Sequence, residues 1–323
     1  MTTFKEIRGT AVQSVSSDPS NPEVGQIWYN NSIGVLKGYT LTAAAWASGG
    51  NMGTARRQLA GAGTQTVGLA FGGLTATASN ATEEYNGSAW AGGGNMGTAR
   101  FGLAGAGTQT VGLAFGGFSG TNLASTEEYD GSAWTGGGNL GTARIDLAGC
   151  GTQTAGLGFG GYSTTIIANT EEYDGSAWTA GGNLATARRA LAGAGTQTVG
   201  LAFGGTTGTI TTATEEYDGS AWTSGGSLNT ARRRLAGCGT QTAALAFGGS
   251  VPSTETNVTE EYNGSSWTNS TNLGTARYSL AGAGTQTAGL GFGGYVTGSG
   301  NSNATEEYTG AFLANKTITT STS

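Results

Sequence analysis

Short apolar stretches, broken by glycine-containing turns, recur along the whole of this chain. Leu-Ala-Gly-Ala-Gly and Val-Gly-Leu-Ala-Phe-Gly-Gly are typical stretches, and both are shorter than most helices. Thr-Glu-Glu-Tyr is followed in most copies by Asn-Gly or Asp-Gly, which favour tight hairpins because both central residues tolerate positive φ. The pattern predicts an all-β protein made of short strands.

The pattern is a sequence repeat with a period of 44 to 46 residues. Thr-Ala-Arg ends at Arg56, Arg100, Arg144, Arg188, Arg232 and Arg277. A tryptophan keeps the same step at Trp46, Trp90, Trp134, Trp178, Trp222 and Trp267. Thr-Glu-Glu-Tyr ends at Tyr85, Tyr129, Tyr173, Tyr217, Tyr262 and Tyr308. Six complete units therefore fit between Trp46 and Tyr308.

Each unit is interpreted as four strands, and four strands repeated six times are typical of a propeller. The sequence predicts a six-bladed β-propeller with four-stranded blades and a short N-terminal β-hairpin extension. A solenoid is disfavoured because its end repeats usually differ from the middle ones, whereas the first and last units here resemble the rest. We expect the Trp46 strand to pair with the Tyr308 strand and so close the ring.

Composition narrows the range of functions. The chain has 323 residues, 62 of them glycine, a net charge of −6, two cysteines and no histidine. The acidic balance argues against nucleic-acid binding. The absence of histidine removes the commonest general base and metal ligand, so no catalytic residue, metal site or cofactor is predicted. No apolar run long enough for a membrane span or an export signal is seen.

The repeat resembles the kelch motif. The resemblance rests on the Phe-Gly-Gly triplet, the Tyr of Thr-Glu-Glu-Tyr, the Trp five residues later and the Arg ten residues after that. Kelch domains are propellers with mainly binding roles, so the resemblance implies a binding protein. The copper site of galactose oxidase-like kelch proteins uses histidines, which this chain lacks, and the sialidase Asp-box is incomplete here.

The repeated residues are interpreted as structural. The Trp, Tyr, Leu and Phe positions are predicted to form the core between blades. Adjacent strand residues point to opposite faces, so the two glutamates of each pair should not face each other. We expect one of them to meet the Arg of Thr-Ala-Arg from its own or a neighbouring blade, and exposed pairs of this kind would contribute about 0–1 kcal/mol each. Cys150 and Cys238 occupy an alanine position two blades apart, so buried free thiols are predicted.

Differences between the six copies concentrate at one end of the predicted blades. The segment between Phe-Gly-Gly and Thr-Glu-Glu-Tyr varies in length and content, as do the two residues after Thr-Ala-Arg, whereas the Gly-Thr-Gln-Thr turn does not vary. A variable end that carries aromatic residues and arginine suits recognition of a glycan or a protein. The predicted binding residues are Arg57, Phe101, Phe118, Tyr162, Arg189, Arg233, Tyr278 and Tyr295.

The ends of the chain lie outside the repeat. Residues 1–45 are predicted to be an attachment segment with a hairpin, residues 46–308 the propeller, and residues 309–323 a C-terminal tail strand. The sequence Gly25-Gln26-Ile27-Trp28-Tyr29-Asn30 resembles hairpins that recur in bacteriophage tail fibre and other virion proteins. This resemblance implies a virion protein made in the host cytoplasm, with residues 1–45 bound to other virion proteins.

Three hypotheses follow. The leading one is a non-enzymatic phage structural or adhesion protein whose propeller recognises a host surface glycan or protein. The second is a cytosolic kelch-type adaptor that binds a protein. The third, which the residues favour least, is a glycan-active propeller enzyme. The expected partners include neither nucleic acid nor an inserted membrane.

Overall fold

The computed structural model describes residues 12–318, and these residues form two compact units. One unit comprises residues 45–309, and the other combines residues up to 44 with those from 310 onward. Within the described residues the secondary structure consists of strands, which form seven four-stranded sheets and one two-stranded hairpin. No described segment is a helix long and apolar enough to cross a membrane.

The smaller unit is a four-stranded sheet with the order β1-β2-β3-β30. Strands β2 and β3 form the predicted antiparallel hairpin, β1 pairs with β2 in parallel, and β30, the last strand within the described residues, adds to β3. The strands are β1 (Gln13–Val15), β2 (Ile27–Asn30), β3 (Val35–Thr42) and β30 (Phe312–Thr317). The tail therefore provides an edge strand, while residues 1–11 and 319–323 of the predicted end segments lie outside the described residues.

The larger unit contains the other six four-stranded sheets, one for each sequence repeat. Within each blade the strands follow the order Ala-Gly-Ala/Cys-Gly, Gly/Ala-Leu-Ala/Gly-Phe, Thr-Glu-Glu-Tyr and the Trp strand. In chain order they are β4 (Ala45–Ser48); blade 1, β5 (Ala60–Gly63), β6 (Gly68–Phe71), β7 (Thr82–Tyr85), β8 (Trp90–Gly92); blade 2, β9 (Ala104–Gly107), β10 (Gly112–Phe115), β11 (Thr126–Tyr129), β12 (Trp134–Gly136); blade 3, β13 (Ala148–Gly151), β14 (Gly156–Phe159), β15 (Thr170–Tyr173), β16 (Trp178–Ala180); blade 4, β17 (Ala192–Gly195), β18 (Gly200–Phe203), β19 (Thr214–Tyr217), β20 (Trp222–Ser224); blade 5, β21 (Ala236–Gly239), β22 (Ala244–Phe247), β23 (Thr259–Tyr262), β24 (Trp267–Asn269); and blade 6, β25 (Ala281–Gly284), β26 (Ala288–Phe292), β27 (Tyr295–Val296), β28 (Gly300–Asn301), β29 (Thr305–Thr309).

The blades form a closed ring, which confirms the predicted β-propeller. The first strands of neighbouring blades contact one another in the circular order β5, β9, β13, β17, β21, β25 and back to β5. Blade 6 is completed by β4, which pairs with β29 so that Trp46 lies opposite Tyr308. The predicted pairing of the two ends of the repeat region is therefore confirmed, and β4 covers the edge that β29 would otherwise expose.

Glycine in the inner strands is required by how closely these strands approach one another. A Cβ atom on Gly193 would lie 2.7 Å from Cζ of Phe159 and 3.0 Å from the carbonyl oxygen of Gly149, both in the neighbouring blade. At the same position in each of the other blades, a Cβ atom would lie 2.3–2.9 Å from Cζ of the corresponding phenylalanine. A ring of six short strands around a narrow axis has no space there for a side chain.

The core lies between blades, as the sequence predicts. One cluster joins Leu201 and Phe203 of blade 4 to Tyr262 and Trp267 of blade 5, and further clusters fill other junctions. Trp267 also donates from Nε1 to Oγ1 of Thr214, 3.0 Å away in blade 4. All six repeat tryptophans lie on the outermost strand of their blade; Trp222 and Trp267 are buried and the other four are half-buried.

Candidate functional site

The end of the ring that carries the Gly-Thr-Gln-Thr turns is built from repeated contacts between blades. Nε2 of Gln109 in blade 2 donates to the carbonyl oxygens of Gly68 and Tyr85 in blade 1, at 3.0 and 2.7 Å. The corresponding glutamine of every other blade makes the same two bonds to its neighbour. We call this end the constant end, and these bonds explain why the glutamine of its turn is invariant.

The first glutamate of each Glu-Glu pair forms a buried ion pair with the Thr-Ala-Arg arginine of its own blade. Arg188 and Glu215 lie 3.0 Å apart, and the arginine side chain is fully buried. The six pairs are Arg56–Glu83, Arg100–Glu127, Arg144–Glu171, Arg188–Glu215, Arg232–Glu260 and Arg277–Glu306. Burial lowers the pKa of these arginines, and the facing glutamate opposes that shift.

The expected partner of the arginine is therefore confirmed, but the treatment of this pair as exposed was wrong. The arginine side chain is enclosed within its own blade. Nη1 of Arg188, for example, also donates to the backbone carbonyl oxygens of Gly204 and Ala213. A sequence pattern does not reveal this burial, because a charged residue next to a turn is usually solvated. Breaking such a pair leaves a buried unpaired charge and costs far more than an exposed pair contributes.

The second glutamate of each pair joins two blades. Glu84 of blade 1 accepts a hydrogen bond from the hydroxyl of Tyr129 in blade 2, at 2.6 Å. Equivalent bonds from Tyr85, Tyr173, Tyr217, Tyr262 and Tyr308 complete the ring. Burial, reinforced by the glutamate, raises the pKa of Tyr129 to about 12. The two carboxylates of one Glu-Glu pair therefore have different partners, an arginine of the same blade and a tyrosine of a neighbouring blade.

All eight residues predicted to bind a partner lie at the opposite end of the ring, which we call the variable end. Two of these predicted residues meet in each of blades 2 and 6, because the residue after Thr-Ala-Arg bridges to the residue after Phe-Gly-Gly. The bridged pairs are Arg57–Leu74, Phe101–Phe118, Ile145–Tyr162, Arg189–Thr206, Arg233–Ser250 and Tyr278–Tyr295. The eight predicted side chains are all half-buried.

Aromatic rings and guanidinium groups are stacked at this end. The Arg189 guanidinium lies 4.9 Å from the centre of the Tyr162 ring, and the Phe101 and Phe118 rings are 5.5 Å apart. Arg57 lies 4.9 Å from the centre of the Tyr295 ring. Tyr295 in turn lies 5.4 Å from the Tyr278 ring. The variable end thus presents large side chains in fixed orientations, and the residue type at each equivalent position differs from blade to blade.

A hub inside the variable end was missed in the sequence. It consists of the second residue after each Thr-Ala-Arg, and each member donates its backbone N–H to the member in the preceding blade, at 2.7–2.9 Å. The six form a closed hydrogen-bonded ring, and all have positive φ: Gln58, Gly102, Asp146, Ala190, Arg234 and Ser279. The glycine at Gly102 was the available signal in the sequence, because glycine adopts positive φ without strain. The five non-glycine members are at a φ that is uncommon for their residue types, and this needs a structural cause.

The hub surrounds a small cavity at the mouth of the central channel. Its volume is about 110 Å³, and the six hub residues line it together with the leucines that follow them. Gln58 donates from Nε2 to Oδ1 of Asp146, 3.2 Å away, across this opening. No group of three His, Cys, Asp or Glu side chains in residues 12–318 is arranged to hold a metal ion.

The cysteines are buried free thiols, as predicted. Sγ of Cys150 lies 3.5 Å from the carbonyl oxygen of Thr196 in the next blade. Burial raises the pKa of both thiols to about 12, so neither carries a thiolate at neutral pH.

Comparison with known proteins supports the fold alone. No family model matches the chain, and no curated protein is similar to it in sequence. Among solved structures, the structure of YjhT is similar over 82% of this chain and 99% of its own, with a TM-score of 0.69 and 11% sequence identity. At that identity the likeness establishes a β-propeller and says nothing about the ligand.

Proposed function

We propose that this protein is a non-enzymatic recognition propeller whose variable end binds a host surface. The observation that carries the proposal is the division of one repeat into an invariant framework and a variable end. The repeated carboxylates and arginines serve the framework, so the side chains that differ between blades are the ones available for a partner. The kelch-like repeat pattern is consistent with this binding role.

We further propose that the protein is a bacteriophage virion component attached through residues 1–45. The support is the Gly-x-x-Trp-Tyr-Asn hairpin of the smaller unit. Asp18 accepts hydrogen bonds there from Trp28 Nε1 and Asn30 Nδ2 and forms an ion pair with Lys37, which fixes the hairpin. Exposed apolar residues on the same unit, including Leu41 and Phe312, suit a protein contact.

A cytosolic kelch-type adaptor is the alternative, since the variable end would suit a protein ligand as well. A glycan-active enzyme receives less support, because the paired glutamates are occupied by Arg and Tyr. Detection of the chain by mass spectrometry in purified particles would favour the virion role over the adaptor. Its absence from particles, with retention in infected-cell lysate, would favour the adaptor.

The recognition role is tested by binding of the labelled full-length protein to host cells. Combined alanine replacement of Phe118, Tyr162, Arg233 and Tyr295 is expected to reduce binding at least about tenfold, as loss of interface aromatic and arginine anchors does. The matched control replaces three exposed valines of the constant end with alanine, the residue that other blades carry there: Val67, Val111 and Val199. Equal binding by both variants would exclude the variable end as the binding surface.

A further inference from the structure

The charges of the propeller are segregated between its two ends. Residues 45–309 contain ten arginines, no lysine and seventeen acidic residues. Six of these arginines form the buried ion pairs with glutamate. The four others all lie at the variable end: Arg57, Arg189, Arg233 and Arg234. The constant end instead carries Asp130, Asp174 and Asp218 in its hairpin turns.

The variable end has few acidic side chains, and they already accept hydrogen bonds from other groups of the protein. Glu255 accepts hydrogen bonds from the backbone N–H and the hydroxyl of Thr297, at 3.0 and 2.7 Å. Asp146 accepts from Gln58. Within residues 12–318, none of the four arginines forms an ion pair. An acidic protein therefore presents one end with an excess of unpaired guanidinium groups.

Aromatic rings hold several of these guanidinium groups in place. Arg234 lies 5.9 Å from the centre of the Tyr278 ring, and Tyr278 contacts Tyr295, which carries Arg57 on its ring. Arg57 is fixed further by donation from Nη1 to Oδ1 of Asn301, at 3.0 Å. The result is a row with the order Arg234, Tyr278, Tyr295 and Arg57 across three blades. Guanidinium groups oriented in this way donate to carboxylates in a bidentate geometry.

The remaining surface of this end suits a hydroxylated ligand better than a protein. The large hydrophobic residues that are exposed within residues 12–318 lie in the smaller unit or, like Val67, at the constant end. Protein interfaces normally contain an apolar or aromatic centre that is free to be buried. Here the rings are half-buried against arginine or against one another, and the surrounding loops are rich in Thr, Ser and Asn.

We propose that the variable end binds an acidic polysaccharide, whose carboxylates pair with Arg57, Arg189, Arg233 and Arg234. This inference rests on the proposed recognition role of that end. Charges supplied by blades 1, 4 and 5 match a polymer that repeats its charge along its length. Neutral hydroxyl groups of the same polymer would bind the loop hydroxyls and amides.

The test uses the full-length protein and three immobilised probes: polygalacturonate, neutral dextran and poly-glutamate. The wild-type protein is expected to bind polygalacturonate, with affinity falling as salt is raised, and to leave dextran unbound. The variant Arg57→Gln/Arg189→Gln/Arg233→Gln is expected to bind at least about tenfold more weakly. It should fold, because other blades carry the neutral residues Phe101, Ile145 and Tyr278 at this position. Its thermal unfolding checks this.

The control variant carries Asp130→Asn, Asp174→Asn and Asp218→Asn at the constant end, where blades 1 and 5 already have asparagine. It is expected to bind like the wild type. Failure of the wild type to bind polygalacturonate, stronger binding to poly-glutamate, or equal binding by the arginine variant would each overturn the inference. If the arginine variant keeps its cell binding while the aromatic alanine variant loses it, recognition by this end stands and the acidic ligand does not.

Discussion

Arg188 and Arg189 are consecutive in the chain, yet they belong to regions with opposite requirements. Arg188 is fully buried against Glu215 and recurs in every blade, whereas Arg189 is half-buried on the Tyr162 ring and differs between blades. The comparison shows that the repeat contains a framework, which cannot change, and a surface, which can. It also shows that residue type alone does not distinguish the two regions.

The largest expected effect separates these two arginines directly. Arg188→Met should lower the free energy of unfolding by about 3–5 kcal/mol, because Glu215 is left buried without a counter-charge. Arg189→Met should cost about 1 kcal/mol or less, the value of an exposed cation–π contact. Urea denaturation of both variants measures the difference. Similar losses would show that the ion pair is not part of the framework.

Glycine positions provide the next comparison. Gly193→Ala should destabilise the ring by about 1–3 kcal/mol, because its Cβ would meet Phe159 and the backbone of Gly149. Gly136→Ala serves as the control, since nothing lies within 4 Å of its Cβ position and the next blade has Ala180 there. Thermal unfolding of the two variants is the measurement. A tolerated Gly193→Ala would argue that the inner strands separate easily.

Alkaline pH should weaken the framework through the tyrosines that join blades. The pKa of Tyr85, Tyr129, Tyr173, Tyr217 and Tyr262 is raised from 10.0 to about 12. Since the folded state favours the protonated form, this contribution is complete below pH 10 and is lost as the pH rises through 12. Tyr129→Phe should cost about 1–2 kcal/mol at neutral pH and make the loss between pH 10 and 12 smaller, since one of the six tyrosines no longer titrates. Unfolding measured from pH 8 to 12 tests this, and an unchanged profile would contradict it.

The smallest expected changes in stability compare a residue of the constant-end turn with a residue of a loop at the variable end. Gln109→Ala removes two hydrogen bonds to blade 1 and should cost about 1 kcal/mol. Ser119→Ala changes an exposed residue of a variable loop and should stay within about 0.5 kcal/mol. Equal effects in urea denaturation would mean that the invariance of the constant end does not reflect its contacts.

Much of the fold and part of the candidate site could be predicted from the repeat. Six coincident copies fix the strand segments and the blade number, and the pairing of Trp46 with Tyr308 follows from the order of strands. The variable positions were predicted because differences between copies can be read directly. The hub was not, since a ring of hydrogen bonds between residues such as Gln58 and Ser279 joins positions far apart in the chain.

The sequence by itself determined the four strands of each blade, the number of blades and the end of the blades at which variation lies, because these depend on local pattern and periodicity. Only the tertiary structure decided which charges are buried and which are presented. In the folded protein Arg188 is buried within its own blade, whereas Arg189 lies at the variable end, although both are arginines one residue apart. Burial depends on what the surrounding strands cover, and that arrangement exists only in the folded protein.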